Sequence, residues 1–243
     1  MSAPVPDYVE GHGLLRGRSV LITAAAGVGI GFAAAKKAVE EGCRAIFISD
    51  IHERRLGEAA ERLKALSPST PVFHRICNVT DEGEVQALVA AAEEELGGID
   101  VLINNAGLGG LKNVVDMTDE EWLKVIDVTL TGTMRMTRAA LRGMIPRRRG
   151  AIVNNASVLG WRAQKGQSHY AAAKAGVMAF TRCSGLEAAE HGIRINAVSP
   201  SIAMHDFLKK ASTPEELEAL SKVEAFGRAA EVWEVANVVM FLA

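Results

Sequence analysis

The stretch Ser19-Val-Leu-Ile-Thr23-Ala-Ala-Ala-Gly27-Val-Gly29-Ile-Gly31 decides the fold. Its first five residues are small, apolar or β-branched, which suits a strand buried on both faces. Glycines at 27, 29 and 31 then break the run, and the alanine-rich segment behind them predicts a helix over 31–41 that stops at Gly42. A strand, a glycine turn and a helix form the first half of a βαβ unit. Working outward, apolar runs of strand length recur at 45–49, 72–76, 101–104, 151–154 and 194–199. Helical patterns alternate with them at 53–66, 81–96, 118–144 (with room for an interruption), 169–190, 214–221 and 231–242. Thr118 and Glu121 have the spacing of a capping box. Continuous alternation with apolar strands predicts an α/β fold, a doubly wound parallel sheet in a single domain.

The bulk properties narrow the function. The 243 residues are 49% hydrophobic with a net charge of −2, so there is no electrostatic footprint for nucleic acid or an anionic membrane. Arg147, Arg148 and Arg149 form the one dense basic run and read as a solvated helix end. Cys43, Cys77 and Cys183 are odd in number and lack CxxC spacing, which points to reduced thiols and a cytoplasmic location. No metal is expected, since His169 and His205 stand at no metal-ligand spacing. No apolar run is long enough for a membrane span, and the first residues lack a signal-peptide core. Residues 1–14 read as a flexible extension and residues 15–243 as the catalytic domain.

Two constellations carry chemistry. The glycine turn lets backbone approach a pyrophosphate at a helix N-terminus, and Asp50, nineteen residues after Gly31, can accept hydrogen bonds from ribose hydroxyls. A carboxylate there repels a 2′-phosphate, which favours NAD over NADP; Arg54 and Arg55 either reach toward a 2′-phosphate or, the preferred reading, stand as exposed charges on the next helix. The second constellation is Tyr170, Lys174 four residues later, and Ser157 thirteen residues earlier. Spacing of four places the phenol and the ammonium on one helix face. The ammonium is expected to lower the phenol's pKa from its ordinary value of about 10. With the serine hydroxyl, the pair suits proton transfer in carbonyl–alcohol chemistry.

These pieces, with Asn104-Asn-Ala-Gly107 and Asn196-Ala-Val-Ser-Pro200, resemble the short-chain dehydrogenase/reductase family over residues 15–243. The resemblance implies a Rossmann-type fold and catalysis by Ser157, Tyr170 and Lys174. It implies cofactor contacts from Thr23, Gly27, Gly29, Ile30, Gly31, Asp50, Asn78, Val79, Asn105, Ala106, Gly107, Tyr170, Lys174, Pro200 and Ile202. The chain departs from the family pattern in places. Ala24 stands for a glycine, Asn78 for an aspartate, and Pro200-Ser201 for Pro-Gly. The threonine that usually follows is replaced near Met204-His205. Thr129 stands where the family has a catalytic asparagine; its backbone carbonyl is expected to keep the proton relay in altered form. Family members continue through a last strand and tail, so a C-terminal strand is expected beyond Phe241-Leu-Ala243.

A narrower likeness, in Ile51-His-Glu-Arg-Arg-Leu-Gly57 and Asn154-Asn-Ala-Ser-Val-Leu-Gly-Trp-Arg-Ala-Gln164, points to the actinobacterial branch that degrades the last steroid rings. It implies a bulky ring-bearing acyl-CoA with a secondary alcohol. Trp161 and Arg162 then border the substrate with Ser157 and Tyr170, Trp161 by stacking or by packing under the loop. Arg162, Lys209 and Lys210 either meet CoA phosphates or stay solvated. Phe207 and Leu208 suit a substrate lid or a short helix. The alanine-rich face of the Tyr170 helix implies a homotetramer or dimer, or close packing on its own sheet. Two alternatives stay open: an NADPH-dependent 3-oxoacyl thioester reductase, and an NAD-binding redox sensor without turnover.

Overall fold

The computed structural model describes residues 2–205 and 213–243. Six strands, β1 (Ser19–Ile22), β2 (Ala45–Asp50), β3 (Val72–Ile76), β4 (Val101–Asn104), β5 (Gly150–Asn155) and β6 (Ile193–Val198), form one sheet in the order β3-β2-β1-β4-β5-β6. Every pairing in it is parallel. Side chains alternate along each strand, so Val20 and Ile22 face one layer while Leu21 faces the other. The first layer is covered by α1 (Ile30–Glu40), α2 (Glu53–Leu66) and α8 (Val232–Leu242). The second is covered by α3 (Glu82–Leu96), α5 (Gly132–Arg147) and α6 (Ser168–Ala189). The chain is therefore a doubly wound, Rossmann-type single domain. The strand order reverses between β1 and β4, which puts both of their carboxyl ends at the crevice where such sheets bind ligands.

Boundaries follow local chemistry. Thr118 and Glu121 close the expected capping box at the start of α4 (Asp119–Ile126). The interruption allowed for in the helical segment is a π-turn at Asp127–Thr131, and it joins α4 to α5 without a break in the helical path. Two-residue strands β7 (Ala203–Met204) and β8 (Ala230–Glu231) pair in parallel on either side of α7 (Pro214–Lys222). Phe207, Leu208, Lys209 and Lys210, expected at a lid or CoA site, lie outside the described residues. Among the described residues no helix is long and apolar enough to cross a membrane.

One expectation gains an addition and one needs correction. The arginine run is an exposed helix end, as expected, closing α5, and its cations also tie that end to the sheet's amino-terminal edge. Arg147 pairs with Glu93 at 2.6 Å and donates to the Ile99 carbonyl, Arg148 donates to the Glu190 carbonyl, and Arg149 pairs with Asp100 at 2.8 Å. The N-terminal segment, expected to be loose, lies as a strap on α1 and α8. The Tyr8 ring packs 5.2 Å from Trp233 and under the ammoniums of Lys36 and Lys37, and its hydroxyl donates to Glu40. The buried Lys37 donates to the Val9 carbonyl, and Glu41 accepts from His12 N and Leu14 N. At the far end, Ala3 N donates to the Phe226 carbonyl at 2.8 Å. Glycine in a polar N-terminus suggests disorder, but the long-range partners are invisible to local pattern.

Tyr8→Ala removes the aromatic contact, the cation–π contacts and the Glu40 bond together. The expected loss is about 1–2 kcal/mol of unfolding free energy, read from urea denaturation; an unchanged midpoint would show that the strap adds no stability.

Candidate active site

At the first βα turn, the buried Thr23 hydroxyl accepts from Asn105 N and Ala106 N, each at 3.0 Å, locking the β1 turn to the β4 turn. The Asn105 amide donates to the Ala24 carbonyl at 3.0 Å. Gly31 is required here by close approach: a Cβ would lie 2.2 Å from the Ala24 carbonyl and 2.4 Å from the Asn105 amide nitrogen. Ala24, where the family has glycine, holds φ +51° and so carries left-handed backbone strain. Space is open where a Cβ would stand at Gly27 and Gly29. Gly29 caps α1 without a side-chain hydrogen bond, so the first amides of the helix remain available. That cradle fits a pyrophosphate.

Asp50, nearly buried, accepts from Ala26 N at 3.0 Å and His52 N at 3.1 Å. Burial raises its carboxyl pKa, against the lowering effect of the Ala26 amide, Arg55 and the Ile51 amide. Arg54 pairs with Glu58 at 2.6 Å on the exposed face of α2. Asn78 has its carbonyl oxygen engaged by Thr80 N and Oγ1, and Val79 is buried against Gly132. The carbonyls of Pro200 and Ile202 accept from Val158 N and Ala230 N.

The catalytic candidates converge. Ser157, just after β5, caps the single turn Val158–Gly160, and its hydroxyl faces the Tyr170 phenol closely enough to lower that group's pKa. Lys174, one turn further along α6, is buried, with Nζ 5.5 Å from the Tyr170 ring centroid. It donates to the Asn155 carbonyl. The expected lowering of the phenol's pKa is absent: burial raises it, and the Ser157 bond only partly opposes that. The lysine points at a carbonyl, and its own burial pushes it down to about 8. Desolvation of both groups outweighs their proximity.

Thr129 sits fully buried in the π-turn. Its hydroxyl accepts from Leu108 N at 3.0 Å and donates to the Leu108 carbonyl at 3.2 Å, while its own carbonyl accepts from the Thr133 hydroxyl at 2.8 Å. It clamps the loop after β4 against the catalytic helix. In that loop, Cβ positions at Gly107 and Gly109 lie 3.4 Å from Lys174 Nζ and 3.7 Å from the Tyr170 ring. Spacing along the chain does not reveal this roof, although Gly107-Leu-Gly-Gly110 is a visible glycine run. Nor does it reveal Asn155, whose side chain donates to Asn105 at 2.9 Å. Of the substrate candidates, Arg162 is tied to Glu224 at 3.2 Å and to Ser201. Trp161, 73% exposed, lines a groove with Met178, Arg182 and Leu186 on the α6–β6 flank.

The chain matches the family described as short chain dehydrogenase over residues 18–216. It is 59% identical over 239 residues to the Mycobacterium tuberculosis (5R,7aS)-5-hydroxy-7a-methyl-1-oxo-2,3,5,6,7,7a-hexahydro-1H-indene-carboxyl-CoA reductase, covering 98% of this chain and 90% of that protein. It is 37% identical over 229 residues to the 3-oxoacyl-[acyl-carrier-protein] reductase FabG of Vibrio harveyi, covering 94% and 91%. A crystal structure of a short chain dehydrogenase from Mycobacterium smegmatis superposes with a TM-score of 0.87 at 55% identity, covering 99% of this chain and 91% of that one.

The Lys174 pKa fixes a stability signature. Below about pH 8 the ammonium is charged in both states and its burial cost is fully present. Between about 8 and the ordinary 10.5 the unfolded chain binds more protons, so stability rises with pH. Wild type is expected to gain on Lys174→Met across that window in urea midpoints; a constant difference would contradict the shift.

Proposed function

The chain belongs to the short-chain dehydrogenase family and is an oxidoreductase acting on CH–OH groups, and on that premise we propose that it interconverts a secondary alcohol and a ketone on a bulky ring-bearing acyl-CoA from steroid catabolism, with NAD as cofactor. The single observation that carries the reaction is the Ser157–Tyr170 hydroxyl pair with Lys174 one turn away, set beside the glycine turn. The substrate class rests on the 59% identity to a ring-bearing CoA reductase.

A bound nicotinamide dinucleotide supplies the hydride acceptor or donor. Gly27, Gly29, Ile30 and Gly31 would hold its pyrophosphate, Asp50 the adenosine ribose, and Asn78 and Val79 the adenine side. Asn105, Ala106 and Gly107, with Pro200 and Ile202, would line the rest of its path. Ser157 orients the substrate oxygen. In oxidation, deprotonated Tyr170 takes the alcohol proton; in reduction, the phenol returns it. Lys174, one helical turn from the phenol, would hold the nicotinamide ribose hydroxyls, and Thr129 steadies the loop above it. Because burial raises the Tyr170 pKa, oxidation is favoured by alkaline pH and reduction by a protonated phenol.

Asp50 supports NAD, since its carboxylate would face a 2′-phosphate. The likeness to a 3-oxoacyl thioester reductase supports a second reading, an NADPH-dependent reductase of linear thioesters. Exposed Ala172, Ala179 and Leu186 along α6 support a homodimer or tetramer, and the cysteine pattern supports a cytoplasmic location.

The deciding assay follows NADH formation from NAD⁺ with ring-bearing and linear hydroxyacyl-CoA thioesters. Turnover on ring-bearing substrates, reduced roughly 10²–10⁴-fold or more in Tyr170→Phe, is expected. Turnover on linear substrates alone, or strong NADPH preference, favours the second reading. Cofactor binding with no turnover on either class would leave a redox sensor as the better description.

A further inference from the structure

Between the loop after β4 and the loop before α6 lies a concavity of about 520 Å³ lined by Leu111, Lys112, Asn113, Asp116, Lys165 and Gly166. That volume falls within the roughly 300–1,000 Å³ of small-ligand pockets. The two walls are stitched by Lys112 N donating to the Gly166 carbonyl at 2.8 Å. Both walls run straight into the catalytic group. The first continues from Gly109, whose Cβ position is 3.7 Å from the Tyr170 ring, and the second, with Lys165 five residues before Tyr170, leads into α6 at Ser168.

The lining has mixed character. Leu111 is 75% exposed, and Asn113 and Asp116 offer an amide and a carboxylate. Of the two ammoniums, Lys112 is committed to Glu121 at 3.2 Å, whereas Lys165 forms no ion pair among the described residues. Where the second wall joins α6, Gln167 Oε1, Ser168 Oγ and His169 Nδ1 are buried without hydrogen-bond partners, His169 at 3% exposure. Native folds leave only a few such atoms per hundred residues.

Resting on the acyl-CoA reading above, we propose that this concavity receives the pantetheine arm of the substrate thioester and that Lys165 meets its phosphate end. The arm's amides suit Asn113 and Asp116, and its dimethyl carbon suits Leu111. The separation of roles is physical: ring chemistry takes place at Tyr170, while the carrier is gripped outside by the Lys165 ammonium.

The test is calorimetric titration of CoA and of pantetheine into protein saturated with NADH, so that the adenine end of CoA cannot occupy the dinucleotide site. Lys165→Glu is expected to weaken CoA about tenfold or more, Lys165→Arg to stay within about threefold of wild type, and pantetheine to be unaffected. Turnover of the N-acetylcysteamine thioester of the same acyl group should be unchanged in Lys165→Glu. Equal affinity of wild type for CoA and pantetheine, or equal weakening of both ligands by Lys165→Glu, overturns the subsite and leaves the proposed reaction standing. Lys165-dependent CoA binding in a protein that turns over no ring-bearing thioester would keep the subsite and overturn the proposed substrate.

Discussion

The Asn105 side chain is the joint on which the site depends. Its amide donates to the Ala24 carbonyl, its oxygen accepts from Asn155, and its backbone nitrogen donates to Thr23. Lys174 in turn donates to the Asn155 carbonyl. One amide side chain thus connects the glycine turn after β1, the turn after β4, the end of β5 and the catalytic lysine. Networks of this kind are expensive to leave incomplete in a low-dielectric interior, so each member fixes the next. A second layer, Asn104 to Asn154 and Thr137, and Asn154 to Thr181, repeats the device one residue deeper. The carboxyl ends of the sheet are held by side-chain amides where the ladder itself runs out.

This construction explains the roof over the catalytic helix. The loop leaving Asn105 must pass close above Lys174, Tyr170 and His169, and a Cβ at Gly110 would lie 3.0 Å from His169 Nε2. Thr129 then clamps the loop from the π-turn. π-turns displace a helix locally by one residue and are frequent at functional sites. Here the displacement brings the threonine hydroxyl to Leu108.

Much of the fold was legible from pattern. Strands buried on both faces read as uninterrupted apolar runs, so strand boundaries fell within a residue or so, and the Thr118–Glu121 cap was visible as a spacing. The convergence of Ser157, Tyr170 and Lys174 was legible because helix periodicity and a strand end position all three. Three features were not legible, each for a stated reason. The strap and the Arg147–Arg149 pairings depend on partners far away in sequence. The pKa of Tyr170 depends on burial and on where the Lys174 ammonium points, which a spacing of four residues does not encode. The roof depends on contact between two loops.

The position of α8 has a consequence for how the chain is made. One apolar layer, built on α3 and α5 with β1 to β5, contains nearly all its parts once synthesis has passed β5. The other leaves Val20, Ile22, Ala34, Ala35 and Ala38 uncovered until Val235, Ala236, Val239 and Met240 arrive some two hundred residues later. The strap is bound by the same delay, since Tyr8 waits for Trp233 and Ala3 for Phe226. A nascent chain on the ribosome therefore presents a half-closed sandwich with a greasy β1–α1 face, the surface a holding chaperone would shield until the C-terminal helix emerges.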